Sequence, residues 1–237
     1  MPKPIATVLF LLLTSVSILA QKPKIHSTSD IYESIQKLNF LGSVLYVAAH
    51  PDDENTRLIS YMSNEIKART AYLSIKRGDG GQNLIGPEIR ELLGVIRTQE
   101  LLAARRIDGG EQRFTRANDF GYSKHAEETL EIWDKDKVLS DVVWAIRNFQ
   151  PDIMITRFDH RTPGTTHGHH TSSAMLAVEA FDITNDKTQY EDQLKYVGIW
   201  QPKRLFFNTT WWFYGSQENF AKADKSNMLS FDIGTYY

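Results

Sequence analysis

The segment His50, Pro51, Asp52, Asp53, Glu54 joins an imidazole to three consecutive carboxylates. Adjacent carboxylates repel one another and cost desolvation energy unless a cation, a partner or water relieves them. A second concentration of ligating side chains lies far along the chain, where four of the seven histidines fall between His160 and His170 in "DHRTPGTTHGHH". If the two segments meet in space, a His-Asp-His site for a divalent cation accounts for the acidic cluster, because the cation neutralises the carboxylates. Zinc suits such a mixed nitrogen and oxygen set, with an open position left for water, and another divalent cation is possible. The chain has no cysteine, which removes disulfides, thiolate nucleophiles and cysteine metal sites and leaves histidine and carboxylate as the ligands.

The elements around these segments decide whether they can meet. Val44 to Ala49 and Thr70 to Ile75 are short apolar runs of strand character, with the helix-compatible stretch Glu54 to Ala68 between them, which makes a βαβ unit. Pro87 to Arg106 carries Ile89, Leu92, Leu93, Ile96 and Leu101 at helical spacing and follows the turn-rich "RGDGGQNLIGP". Ala126 to Phe149 reads as one long helix stopped by Pro151, "DIMITRF" (Asp152 to Phe158) as another buried strand, and Thr171 to Phe181 as another helix. Strands alternating with crossover helices predict an α/β fold: a Rossmann-like, mostly parallel sheet with helices on both faces, whose ligands sit outside the carboxyl ends of the strands. His50 and the Asp159 to His170 segment both follow such ends.

A hydrophobic content of 41% and a charged content of 24% over 237 residues suit one globular domain with a sizeable core. A net charge of −2 and a pI near 6.4 argue against nucleic acid or an acidic membrane surface as partner and for a small polar substrate. At the N-terminus a short basic start ending at Lys3, an unbroken apolar run from Val8 to Leu13 and a small residue at Ala20 predict a signal peptide over residues 1–20. The apolar run is short for a membrane span, so the mature chain, starting near Gln21, is expected to be exported, periplasmic or secreted, without a stable span. At the other end Leu229, Phe231 and Ile233 alternate as a half-buried strand would. That pattern, stopping at Tyr237, predicts a domain cut short, a fragment of a longer protein.

"AHPDDEN" together with "HGHH" opening a helix resembles the PIG-L, or LmbE-like, family of N-acetylglucosaminyl deacetylases. The resemblance covers about Leu41 to Phe181, includes "SIKRGDGGQN" and "IRTQELLAARRIDG", and looks most like the large exported bacterial members, whose deacetylase domain is followed by further domains, which implies further C-terminal domains in the full-length protein. It implies a zinc hydrolase on a Rossmann-like sheet, with residues 21–40 as a lead-in and 41–237 as the deacetylase domain. Matched residue by residue, it makes His50, Asp53 and His170 the metal ligands, Asp52 the general base, and His167 the residue that polarises the carbonyl or protonates the leaving amine. The family's usual H-P-D-H falls on His167, Gly168, His169 and His170, so Gly168 and His169 depart from it. Asp159 is then a candidate for the missing outer carboxylate.

The chemistry needs these types. An amide is a poor electrophile with a poor leaving group, so a metal must acidify water and stabilise the tetrahedral oxyanion. Asp52, beside a ligand but not itself one, can take the water's proton. An imidazole at His170, in a first helical turn, sits at the positive end of a helix dipole, which disfavours imidazolium and keeps the ring free to ligate. Arg77, Asp79 and Arg97 are candidates for gripping sugar hydroxyls.

Simpler readings stand beside these. Asp52 and Asp53 can cap the following helix, and Arg97 and Glu100, three apart on a helix, can be a surface ion pair. His169 reads as a solvated neighbour of the ligands, and His26 and His125 as surface residues. "GDGG" reads as a tight turn, since it lacks the Lys-Ser/Thr ending of a phosphate-binding loop. Trp211, Trp212, Phe213 and Tyr214 suit a sugar platform, a core or an interface. The expected function is removal of the N-acetyl group from an N-acetylglucosamine-type sugar or conjugate. The alternatives are a metal-dependent amidase acting on another conjugate and a catalytically silent glycan-binding domain.

Overall fold

The computed structural model describes residues 25–230 and 232–233, and the chain divides into two units, Met1–Asn39 and Phe40–Tyr237. The predicted signal peptide lies outside the described residues. In the first unit helix α1 (Thr28–Lys37) is started by a capping box. The Ser27 hydroxyl accepts from the Asp30 N–H, and the Asp30 carboxylate accepts from the Ser27 N–H.

In the second unit, runs of apolar and β-branched residues build a five-stranded, all-parallel sheet. Its strands are β1 (Ser43–Ala48), β2 (Arg69–Lys76), β3 (Glu111–Ala117), β4 (Ile153–Thr156) and β5 (Arg204–Phe207), in the order β3-β2-β1-β4-β5. The helices are α2 (Thr56–Ser60), which runs on into a π-helical turn (Tyr61–Glu65), α3 (Glu91–Asp108), α4 (Ala126–Trp133), α5 (Lys135–Phe149), α6 (Gly168–Ile183) and α7 (Gln217–Lys222). Leu45, Val47, Leu73 and Met154 point to one face and bury against Leu130 and Trp133 of α4, Val142 and Ile146 of α5 and Leu176 of α6. Val44, Tyr46, Tyr72 and Ile155 point to the other and bury against Leu58 and Ile59 of α2 and Leu101 of α3. The inner strands β1, β2 and β4 are therefore apolar on both faces, as a covered parallel sheet requires.

The chain leaves β1 toward β2 and β3 on one side and continues into β4 and β5 on the other. That reversal puts the carboxyl ends of β1 and β4 side by side, where an open α/β sheet has its crevice. At the opposite end Asp152 ties the same two strands together: its Oδ2 accepts from the Ser43 N–H at 3.0 Å and the Ser43 hydroxyl at 3.1 Å.

Several boundaries differ from the sequence expectation. The helix expected over Ala126 to Phe149 is two helices, because Asp134 takes a left-handed conformation with φ 58° between α4 and α5. The helix expected from Pro87 begins at Glu91, after Arg90 at φ 54°, and is closed by Gly109 at φ 79°. The stretch Glu54 to Ala68 forms only the short α2 and its π-helical turn. The described residues at the C-terminal end, Met228 to Ser230, Asp232 and Ile233, form no strand, and Leu229 is 71% exposed. Phe231 and the last four residues lie outside the described part. Among the described residues no helix is long and apolar enough to cross a membrane.

Candidate metal centre

The three acids after β1 separate into three environments. Asp53 turns into the histidines. Its Oδ2 lies 2.8 Å from His50 Nδ1 and accepts the His50 backbone N–H at 2.7 Å, while its Oδ1 lies 3.3 Å from His170 Nε2. Glu54 turns the other way and meets the Arg105 guanidinium of α3 at 3.3 Å, in a buried cluster closed by Asp108 at 2.5 Å. Asp52 has a side chain 74% exposed, with Arg97 Nη2 3.5 Å away. The expectation that one cation relieves the whole acidic run is thus corrected: Arg105 serves Glu54, solvent and Arg97 serve Asp52, and only Asp53 belongs to the histidine cluster. The capping reading is also corrected, because Asn55 caps α2 by accepting from the Leu58 N–H at 3.1 Å.

The second loop arrives from the end of β4 and the start of α6. His167 is the N-cap of α6, and its ring centroid lies 3.5 Å from that of His170 in the first turn. Phe158 stacks on His170 at 3.7 Å with 9° between the planes, and the Tyr72 hydroxyl donates to the His50 carbonyl. These contacts hold both rings where Asp53 can reach them. Burial works to raise the Asp53 carboxyl, but hydrogen bonds from His170 and His50 outweigh it and hold Asp53 well below the usual carboxylate range. Burial lowers His170 against the pull of Asp53, and burial with the neighbouring His170 and His50 brings His167 down to about 4. Neutral imidazoles beside an ionised carboxylate are the protonation states that ligate a cation.

Two sets have ligand atoms within 4.8 Å of one another: His50, Asp53 and His170, and His50, His167 and His169. The first fits a cation better. His169 Nδ1 already faces the Lys76 ammonium at 2.8 Å, which repels a second cation there. In the first set, both nitrogens of His50 face acceptors: Nδ1 faces Asp53, and Nε2 faces His169 Nδ1 at 3.3 Å. A neutral imidazole has one N–H, and a cation between His50 and Asp53 removes the conflict. Two imidazoles and one carboxylate form a three-ligand set of the kind that leaves a fourth position open.

His169, expected to be solvated, is instead fully buried, stacked on Trp133 at 5.2 Å, and pushed down to about 2 by burial and then by Lys76. Lys76 pairs with Asp119 at 2.6 Å. Asp159, the candidate outer carboxylate, is bound instead by Arg161 at 2.8 Å. Arg77 and Asp79 pair with each other at 2.9 Å and, with Arg90, Glu91, Asn118 and Asp119, line a cleft of about 390 Å³. Arg97 reaches both Asp52 and Glu100, the latter at 2.9 Å. "GDGG" is a tight turn, in which the Gly81 N–H bonds the Gly78 carbonyl. His26 and His125 are exposed. Trp211 to Tyr214 form a 3-10 turn in which Phe213 packs on Phe158 and Phe207, while Trp211 and Trp212 stay half exposed.

The sequence profile of the PIG-L family, described as GlcNAc-PI de-N-acetylase, matches residues 45–181, which is more than half of the chain. The chain belongs to the PIG-L family. A comparison with curated proteins finds no match. Among solved structures, the fold is similar to N,N'-diacetylchitobiose deacetylase from Pyrococcus horikoshii complexed with its inhibitor MPG. That pair has a TM-score of 0.56 and 17% identity, over 76% of this chain and 68% of the other. It is also similar to the conserved protein TT1542 from Thermus thermophilus, with a TM-score of 0.51 and 21% identity, over 72% and 68%. These structures establish the shared fold, and family membership supports a deacetylase, hence a hydrolase.

This PIG-L chain departs from the usual second loop for a steric reason at Gly168. A Cβ there would lie 2.3 Å from the His125 carbonyl oxygen and 2.6 Å from Thr129 Oγ1, because α6 starts hard against α4. The Gly168 N–H bonds the Ser123 carbonyl at 2.8 Å, a bond that proline cannot make. Lys76, Asp119 and Phe158 were missed by sequence reasoning. The signal available was a lysine interrupting the end of an otherwise apolar strand, a position that demands a buried partner.

Proposed function

We propose that this PIG-L protein is an exported, zinc-dependent deacetylase that removes the N-acetyl group from an N-acetylglucosamine-type sugar or conjugate. The observation that carries the reading is the convergence of His50, Asp53 and His170, ligand atoms within 4.8 Å of one another, at the carboxyl ends of two neighbouring strands. Zinc is the ion that this donor set suits, and when bound it would acidify water and stabilise the oxyanion.

The chain's own residues supply the rest. Asp52 stands at the mouth of the site and takes the proton of the attacking water as oxygen bonds to the carbonyl carbon. His167, buried enough to be neutral at pH 7, donates its N–H to the carbonyl oxygen rather than bringing a charge. As the carbon–nitrogen bond breaks, the proton held by Asp52 passes to the amine, and the free amine leaves with acetic acid, which gives up its proton to solvent as acetate. Arg77, Asp79 and Arg97, all on the glycine turn or α3, offer donors and acceptors to sugar hydroxyls. Export rests on the character of residues 1–20, with cleavage after Ala20.

The test is acetate release from a panel of acetamido sugars by the purified protein, before and after chelation and zinc readdition. Release that is lost on chelation and restored by zinc supports the reading. Hydrolysis confined to other amide conjugates would make it an amidase, and glycan binding without any release would make it a silent domain. N-terminal sequencing of the protein recovered from the periplasm or medium tests export: a mature end at Gln21 supports it, and an intact Met1 in the cytoplasm refutes it.

A further inference from the structure

Lys76, the last residue of β2, is 1% exposed, and its ammonium has two neighbours: Asp119 Oδ1 at 2.6 Å and His169 Nδ1 at 2.8 Å. Asp119 is buried as well, with a side chain 3% exposed, and its Oδ1 also accepts the Gly121 N–H at 3.1 Å. An ammonium has three donors and no acceptor, so His169 Nδ1 must present its lone pair to it. The proton of the neutral ring then sits on Nε2. The ring cannot turn to evade this, because it is stacked on Trp133 at 24° and met edge-on by Phe120 at 4.7 Å. The same Nδ1 faces His50 Nε2 at 3.3 Å. His50 is thus held between Asp53 on one nitrogen and His169 on the other.

We propose that Lys76 and Asp119 are a buried positioning pair that locks His169 in its Nε2–H tautomer, so that the single Nδ1 lone pair, bonded to Lys76 at 2.8 Å, is shared at the longer 3.3 Å with the Nε2 side of His50 and orients that ring. A ligating imidazole ordinarily donates its outer N–H to a carboxylate, a carbonyl or water. Here the acceptor is another imidazole, and the carboxylate stands two steps behind it. The arrangement has an electrostatic consequence. A neutral His169, a cationic Lys76 and an anionic Asp119 sum to no net charge, whereas an aspartate at position 169 would put a third carboxylate charge beside Asp52 and Asp53. The burial of Lys76 at a strand end follows as well, since its ammonium balances Asp119 while a second donor fixes the ring.

The consequence for cation retention rests on the metal reading given above; the tautomer does not. Long-range 1H–15N spectra of the metal-free protein, labelled at histidine and assigned with His169→Gln, report the tautomer directly at pH 7. Nε2–H at His169 is expected, and Nδ1–H overturns the proposal whatever the variants do. Zinc affinity is then measured by chelator competition for Lys76→Met and for Lys76→Met/Asp119→Asn, the second removing both buried charges together so that neither is stranded. Both variants are expected to lose the single wild-type tautomer and to bind zinc about tenfold to a hundredfold more weakly. Wild-type tautomer and affinity in the folded double variant overturn the proposal. A wild-type protein that shows the Nε2–H tautomer but binds no zinc refutes the metal reading and leaves the positioning pair standing.

Discussion

Asp53 accepts from both the backbone N–H and the ring side of His50, at 2.7 Å and 2.8 Å through the same Oδ2. The four-residue turn His50 to Asp53 after β1 thereby preorganises a carboxylate and an imidazole on one side of a point that His170 reaches from across the sheet at 3.3 Å. Two of the three donors come from one local turn and the third depends on the pairing of β1 with β4, so disturbing His170 should separate ligation from folding.

His170→Ala is expected to abolish stoichiometric zinc while the fold survives, because the side chain lies at the edge of one core, where it stacks on Phe158 beside the site. Metal content after dialysis, with a far-UV spectrum as control, checks it. Wild-type zinc in the folded variant would remove His170 from the ligand set.

Asp52→Asn preserves shape, and among the described residues the exposed side chain makes one long contact, to Arg97. The variant should keep its zinc and its melting temperature and lose about a hundredfold or more in kcat, the usual scale for a general base. Turnover near wild type would end the proposed role, and loss of zinc would make Asp52 a ligand instead.

Gly168→Ala forces a methyl onto the His125 backbone, which cannot swing aside as a side-chain tip can. Overpacking of this kind costs about 1–3 kcal/mol, read as a lower midpoint in urea. An unchanged midpoint would show that α6 can slide away from α4, and the metal affinity would then report whether His170 slides with it.

Asp152 supplies a pH signature remote from the metal. The Lys203 ammonium, at 2.8 Å, and the bonds from Ser43 lower its carboxyl, with burial opposing them. A depressed carboxylate contributes stability that is present above its unfolded value of about 3.9 and is lost as pH falls through the folded value. Asp152→Asn is therefore expected to be less stable by about 1 kcal/mol near neutrality, the scale of one or two net hydrogen bonds. The gap to wild type should narrow below about pH 4. Paired denaturation curves across pH decide it; a gap independent of pH would assign the effect to packing rather than to charge.

The inner strands β1, β2 and β4 were legible as apolar runs because a parallel sheet covered on both faces leaves them no polar side. The outer strands were not: "EQRFTRA" of β3 and "RLFF" of β5 are edges with partly exposed residues, so neither forms an uninterrupted buried run. The break of one expected helix at Asp134 was equally hidden, since a left-handed aspartate between two amphipathic segments leaves the apolar spacing intact.

At the site, sequence alone determined which residue types are present and that His50 and the histidine-rich loop both follow strands. Those facts depend on local pattern, whereas the choice of His50, Asp53 and His170 among the candidates came from the resemblance to the PIG-L family. Tertiary structure decided which acid goes where. Arg105 captures Glu54, solvent keeps Asp52, and the histidines receive Asp53, because a carboxylate's partner is set by the helix packed beside it rather than by its neighbours in the chain. It also decided the fate of His169. A histidine between two site histidines carries no mark of burial; only the packing of α6 against Trp133, with Lys76 arriving from β2, turns it from a solvated neighbour into a buried acceptor.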